Sequence, residues 1–276
     1  MPILLQRLRF LLFLTLPYLS LGQAGAVEVL SGQAIQGSLL VLKTKPGASL
    51  TINGKKTMVT PQGLAVAGFH RDDTTTLIVQ AKHPNGTIEK LILEPSARNY
   101  LEQRIDGLPT EMVTPPQAVL ERIARDRKLV IAARAHASSI KAFAGPFSWP
   151  VKGIVTGVYG SRRILNGKPR APHYGIDIAA PENTPISAPQ DGIVRMVSDL
   201  YFTGWTIVLD HGHGVSSTFL HLKKTFVSVG NKIRKGAKIG TVGSTGRSTG
   251  AHLDWRINLF EKRLDPALVA GPMPTQ

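Results

Sequence analysis

The 276-residue chain contains no cysteine. That absence excludes disulfides, thiolate metal ligands and the lipidated cysteine of an anchored lipoprotein. Any metal ion bound here must rest on His, Asp or Glu. Acidic residues are scarce too: 18 Asp and Glu stand against 33 Lys and Arg, a formal charge of +15. Such an excess favours polyanionic partners. The basic residues are scattered rather than blocked, which speaks against nucleic acid; an acidic cell-wall polymer or anionic lipid suits an exported chain better. Long apolar runs are also missing. The run from Phe10 to Leu21 is interrupted by Pro17 and falls short of the roughly 20 residues that span a bilayer. No later segment comes closer, so no transmembrane segment is expected in the mature chain.

What is present begins with that short run. Arg7 and Arg9 precede it, and Ala24 and Ala26 follow in an A-x-A arrangement. Residues 1–26 read as a secretory signal peptide cut after Ala26, giving a secreted and most simply periplasmic protein. Hydrophobic residues make up 42% of the sequence, enough for packed cores. Residues 27–94 hold short β-branched and apolar runs broken by the Asn-Gly turns of "NGKK" and "HPNG", the pattern of a small Ig-like β-sandwich. His70 and His83 lie there without a spacing partner and read as surface or turn residues. Residues 95–146 change character. Thr114, Pro115 and Pro116 form an N-cap and first turn, and "AVLERIARDRKLVIAARAHA" continues as a basic helix linking two domains. From residue 147 to about 270, short apolar runs punctuated by glycine predict an all-β domain, so the chain as a whole is mainly β.

Polar clusters stand out against that β background. "HYGID" places His173 and Asp177 four apart; on a regular strand they would sit about 13 Å apart, so a bend at Tyr174-Gly175 is needed before both could reach one ion. "TFLHL" puts His221 between apolar neighbours. "GAHLDW" puts His252 and Asp254 on one face of a strand and Leu253 and Trp255 on the other. The glycine-rich "GTVGSTGRSTG" before it predicts a tight loop at that strand's entrance, but it lacks the lysine of a phosphate loop. His211 and His213, in "DHGHG", read as parts of a hairpin turn rather than as ligands.

Taken in order, H-x-x-x-D, "FLHL", "GSTGRSTG" and H-x-D resemble the M23 family of zinc peptidases, the lysostaphin and LytM type, over residues 147–266. The resemblance implies an antiparallel β-sheet domain and a zinc metalloendopeptidase that hydrolyses the peptide cross-links of peptidoglycan. It implies zinc ligands at His173 and Asp177 and catalytic roles for His221 and His252. The family's closing motif is His-x-His, and its second His is the third ligand; here that place holds Asp254. A carboxylate is an accepted zinc ligand. A second one would offset the ion's remaining charge and move the activity optimum towards alkaline pH. The other reading of the departure is a weak or inactive relative that activates another cell-wall hydrolase.

Overall fold

The structure, a computed structural model, describes residues 27–274; the expected signal peptide lies outside them. Short apolar runs build most of its first strands, continuous in β2 (Leu39–Lys43) and β5 (Leu64–Gly68) and alternating in β6 (Leu77–Lys82), with β1 (Glu28–Ser31), β3 (Ser49–Ile52), β4 (Lys55–Thr57) and β7 (Ile88–Leu93) beside them. They form two antiparallel sheets, in the orders β1-β2-β5 and β4-β3-β6-β7. Asn53 and Gly54 turn β3 into β4 with φ of 48° and 77°, the doubly left-handed geometry that Asn-Gly favours in a tight hairpin. Leu40, Leu42, Ala65 and Ala67 of the first sheet pack on Leu50, Leu77, Val79 and Ala81 of the second. On the opposite side, Leu39, Val41 and Val66 join the core of the C-terminal half. His83 is buried rather than superficial, with Nε2 3.0 Å from Glu89.

The connecting region is not simply a helix. It contributes β8 (Glu102–Ile105), which runs parallel to Arg162–Leu165 of the following domain. A short turn, α1 (Thr110–Val113), precedes the main helix α2 (Leu120–Arg134). Thr114 does not cap that helix. A residue before proline is driven to extended backbone, and Pro116 is itself extended with ψ of 157°, so helix forms only beyond Gln117–Val119. The α2 helix packs on the C-terminal sheet, with Val130 and Ala133 against Met196, Leu200 and Val208.

The C-terminal domain is antiparallel throughout. Its strands are β9 (Ile154–Gly157), β10 (Arg162–Leu165), β11 (Lys168–Arg170), β12 (Ile176–Ala179), β13 (Pro185–Ser187), β14 (Gly192–Leu200), β15 (Gly204–Gly212), β16 (Val215–Thr225), β17 (Lys232–Ile233), β18 (Lys238–Val242), β19 (His252–Leu259) and β20 (Lys262–Leu264). The main sheet has the order β17-β14-β15-β16-β19-β12-β9. Asp265 caps the closing helix α3 (Pro266–Ala270) by accepting from the Ala267 N–H at 2.9 Å. Leu253, Trp255 and Ile257 of β19 have no solvent exposure, and Trp149 meets Trp255 edge-on at 5.7 Å. That packing fixes which face of β19 is left for Asp254.

His211 is the penultimate residue of β15, and His213, with φ of 52°, lies in the turn into β16. Both ring nitrogens of His211 are taken: Nδ1 donates to the Asp191 carbonyl and Nε2 accepts from Ser217 Oγ, each at 2.7 Å. Burial lowers its pKa to about 4. The unfolded chain protonates this ring near pH 6.5, so its contribution to stability is present above about 6.5 and is lost as pH falls towards 4. The melting temperature is expected to drop over that interval, and to drop less in His211→Asn, by thermal unfolding at stepped pH. An equal acid loss in the variant would assign the sensitivity elsewhere.

Candidate metal centre

Strands β12 and β19 are antiparallel neighbours in a register that sets Asp177 directly opposite Asp254. Facing carboxylates repel, so such a pair persists only where positive groups offset it. Three do so here. His173 Nε2 lies 3.1 Å from Asp177 Oδ1 and 3.4 Å from Asp254 Oδ2. Arg163 Nη2 donates to Asp177 Oδ2 at 2.6 Å. Arg256, two positions beyond Asp254 on the same face of β19, grips it with Nε at 2.9 Å from Oδ1 and Nη2 at 2.6 Å from Oδ2.

The bend expected inside "HYGID" is present, since His173 precedes β12 and Asp177 lies within it. Glycine is required there by crowding: a Cβ on Gly175 would run into Asp254 Oδ1 and the stem of Arg256. His173 is held by its backbone, its N–H donating to the Ser161 carbonyl and its C=O accepting from Gly160.

His173, Asp177 and Asp254 are all buried, and one ligand atom from each lies within 4.8 Å of the others. Donors of a tetrahedral ion at about 2.0–2.2 Å lie roughly 3.3 Å apart, close to the spacing of His173 Nε2 from each carboxylate. His173 Nε2 and Asp177 Oδ1 are buried yet share no aligned hydrogen bond, despite their proximity. These orphaned atoms, converging on one point, fit a divalent cation. The protein groups themselves form an ion cluster. Burial opposes the imidazolium, but Asp254 and Asp177 outweigh it and raise the His173 pKa. Burial likewise opposes ionisation of Asp254, but Arg256 and His173 hold its carboxyl well below the usual range.

His221 and His252 flank this cluster with ring centroids 4.8 Å apart. His221 Nδ1 donates to the Thr245 carbonyl at 2.7 Å, and His252 Nδ1 donates to the Gly250 carbonyl at 2.8 Å. A carbonyl only accepts, so each ring carries its proton on Nδ1 and presents Nε2 as a base. His252 Nε2 is 3.8 Å from Asp177 Oδ1. Burial, then the neighbouring His252, lowers the His221 pKa to about 4, so that ring is neutral at ordinary pH. Its backbone is left-handed at φ 63°, uncommon for a non-glycine residue.

A cleft of about 300 Å³ opens over His221, His252 and Asp177. Arg163 of "VYGSRR" and Arg247 and Ser248 of the glycine-rich loop form part of its walls. Gln103, Ile105 and Leu108 form another part, and nothing in the sequence marks them. Arg256 was legible in principle, because residues two apart on a strand share a face.

Residues 171–266, most of the C-terminal domain, match Peptidase family M23. Among curated proteins it is 39% identical over 102 residues to the DD-carboxypeptidase/endopeptidase Mpg of Neisseria meningitidis, covering 37% of this chain and 24% of that one. It is 40% identical over 87 residues to the peptidoglycan DD-endopeptidase ShyA of Vibrio cholerae, covering 32% and 20%. The chain thus spans about a quarter or less of the curated relatives it matches. The crystal structure of a Pseudomonas aeruginosa chain assigned to peptidase M23 superposes with a TM-score of 0.62 at 27% identity, over 87% of this chain and 96% of that one.

Proposed function

We propose that this protein is an exported zinc metalloendopeptidase that hydrolyses peptide cross-links of bacterial peptidoglycan, with His173, Asp177 and Asp254 as metal ligands and His221 and His252 as catalytic residues. One observation carries the reading: three buried donor atoms converge beside two histidines whose Nε2 atoms are both free to act as bases, and a cleft opens over both histidines and Asp177. The names of the relatives point the same way, to peptidoglycan and to DD-endopeptidase activity. Such a substrate agrees with a secreted, periplasmic location and with the basic charge of the chain. No helix among the described residues is long and apolar enough to cross a membrane.

When bound, zinc supplies Lewis acidity that polarises a carbonyl and acidifies water. The remaining chemistry belongs to the protein. His221 Nε2 takes the proton of the attacking water, its ring held in the right tautomer by Thr245. His252 Nε2, its ring fixed by Gly250, accepts a hydrogen bond from the same water and orients it, and the proton held on His221 Nε2 then passes to the departing amine. Incubation of residues 27–276 with purified cross-linked muropeptides, followed by mass spectrometry, tests this. Cleavage at an amide of the cross-link, lost on chelation and restored by zinc, supports it. Intact cross-links with a zinc-saturated chain rule it out and favour the role of hydrolase activator.

A further inference from the structure

Beside the cleft lies a second pocket, of about 210 Å³, into which Arg163, Arg170, Arg247 and Arg256 all open. Arg163 and Arg256 have carboxylate partners, Asp177 and Asp254. Arg170 and Arg247 have none among the described residues. Arg170 donates to the Val113 carbonyl at 2.7 Å and to the Pro169 carbonyl at 2.9 Å, and Arg247 to the Met112 carbonyl at 3.1 Å. Arg247 also stacks on Phe202, 4.7 Å from the ring centroid. The Nε of Arg163 is buried without any hydrogen-bond partner. The charge at this place is therefore in surplus. Burial, followed by Arg163, Arg256 and Arg170, lowers the Arg247 guanidinium to about 10, the mark of a cation crowded by other cations. Holding such a group in place costs stability unless a ligand offsets it.

We infer that this arginine pocket binds a carboxylate of the peptide substrate, placing the peptide bond to be cut in the adjoining cleft. Guanidinium forks match a carboxylate in pairs, and fixed, partly dehydrated ones do so most strongly. Arg163, Leu165 and Arg247 line both pockets, so an anchored carboxylate lies one wall away from His221 and His252. The inference rests on the reading of peptidoglycan as substrate, whose peptides carry free carboxylates, and it adds what the cleft recognises: an acidic end rather than an amidated one.

The test is calorimetry of residues 27–276, dialysed free of metal so that no turnover occurs. The probes are a synthetic cross-linked stem-peptide dimer with a free terminal carboxylate and the same dimer as a carboxamide. The acid is expected to bind about tenfold tighter than the amide, by more at low salt. Arg247→Gln should bring the two within about twofold, and the exposed Arg170→Gln, which leaves the core untouched, should narrow the gap. Equal affinity, no binding of either probe, or an undiminished preference in both variants overturns the inference. Acid-selective binding in a chain that never cleaves would overturn the proposed function alone; cleavage without acid preference would overturn the arginine pocket alone.

Discussion

Asp254→Ala is expected to abolish metal retention and hydrolysis together. Losing one of three donors should weaken metal binding by more than the roughly 10–100-fold seen when only an outer-shell partner is removed. The same change strands Arg256, whose two hydrogen bonds to Asp254 leave its side chain only 21% exposed. Breaking such a pair by removing one partner costs about 3 kcal/mol. Asp254→His separates the two effects. The imidazole restores a ligand of the type usual in the family but still leaves the guanidinium unpaired, so zinc should be kept while the melting temperature falls. Zinc content after dialysis and thermal unfolding of both variants read the two quantities independently. A full equivalent of zinc in Asp254→Ala would remove Asp254 from the ligand set.

His221→Asn and His252→Ala should each lower kcat about 10²–10⁴-fold with zinc content unchanged. Asparagine is the better probe at 221, because it tolerates the left-handed backbone there and alanine does not. With rings 4.8 Å apart serving one proton path, the double variant should cost little more than the worse single one. Multiplicative losses would mean that the two rings act independently. Loss of zinc from either variant would move that histidine from catalysis to metal binding.

How much of this was legible depended on the range of the interaction. The period-2 pattern of "HLDWRI" placed Leu253 and Trp255 on the buried side and Asp254 on the other, because strand alternation is a local property. Convergence of His173 and Asp177 requires a bend that the local sequence permits at Gly175 but does not dictate, because its cause lies in β19: the close approach of Asp254 and Arg256 to Gly175. The surroundings were hidden. β8 has no strong alternation and is shaped by pairing with β10, some 60 positions later. Nor could composition show that Leu39, Val41 and Val66 serve a core shared with residues 143–264, or that helix formation waits until Leu120.

Arg256 also alters the expectation of an alkaline optimum. A second carboxylate ligand was expected to leave the metal less able to acidify its water. Asp254 and Arg256 together carry no net charge, as a neutral imidazole does, and Arg163 draws on Asp177 in the same way. The pair thus offsets much of the charge that aspartate adds, and the displacement of the optimum should be correspondingly small.

The strand β8 has a consequence for what counts as the working unit. It is joined to the C-terminal domain by its parallel pairing with β10, and Gln103 reaches across to the Thr156 carbonyl at 3.2 Å. Just upstream, Tyr100 fills the space over Gly160 and Arg71 donates to the Gly160 carbonyl at 2.7 Å. Cutting the chain at residue 147 would therefore not release a self-sufficient catalytic module; it would take away one bank of the cleft and strip cover from the residues that hold His173. The family match covers residues 171–266, whereas the walls of the cleft reach back to Gln103, in what reads as a linker. Transplanting residues 147–274 onto another scaffold should carry the candidate metal site with it and leave part of the substrate preference behind.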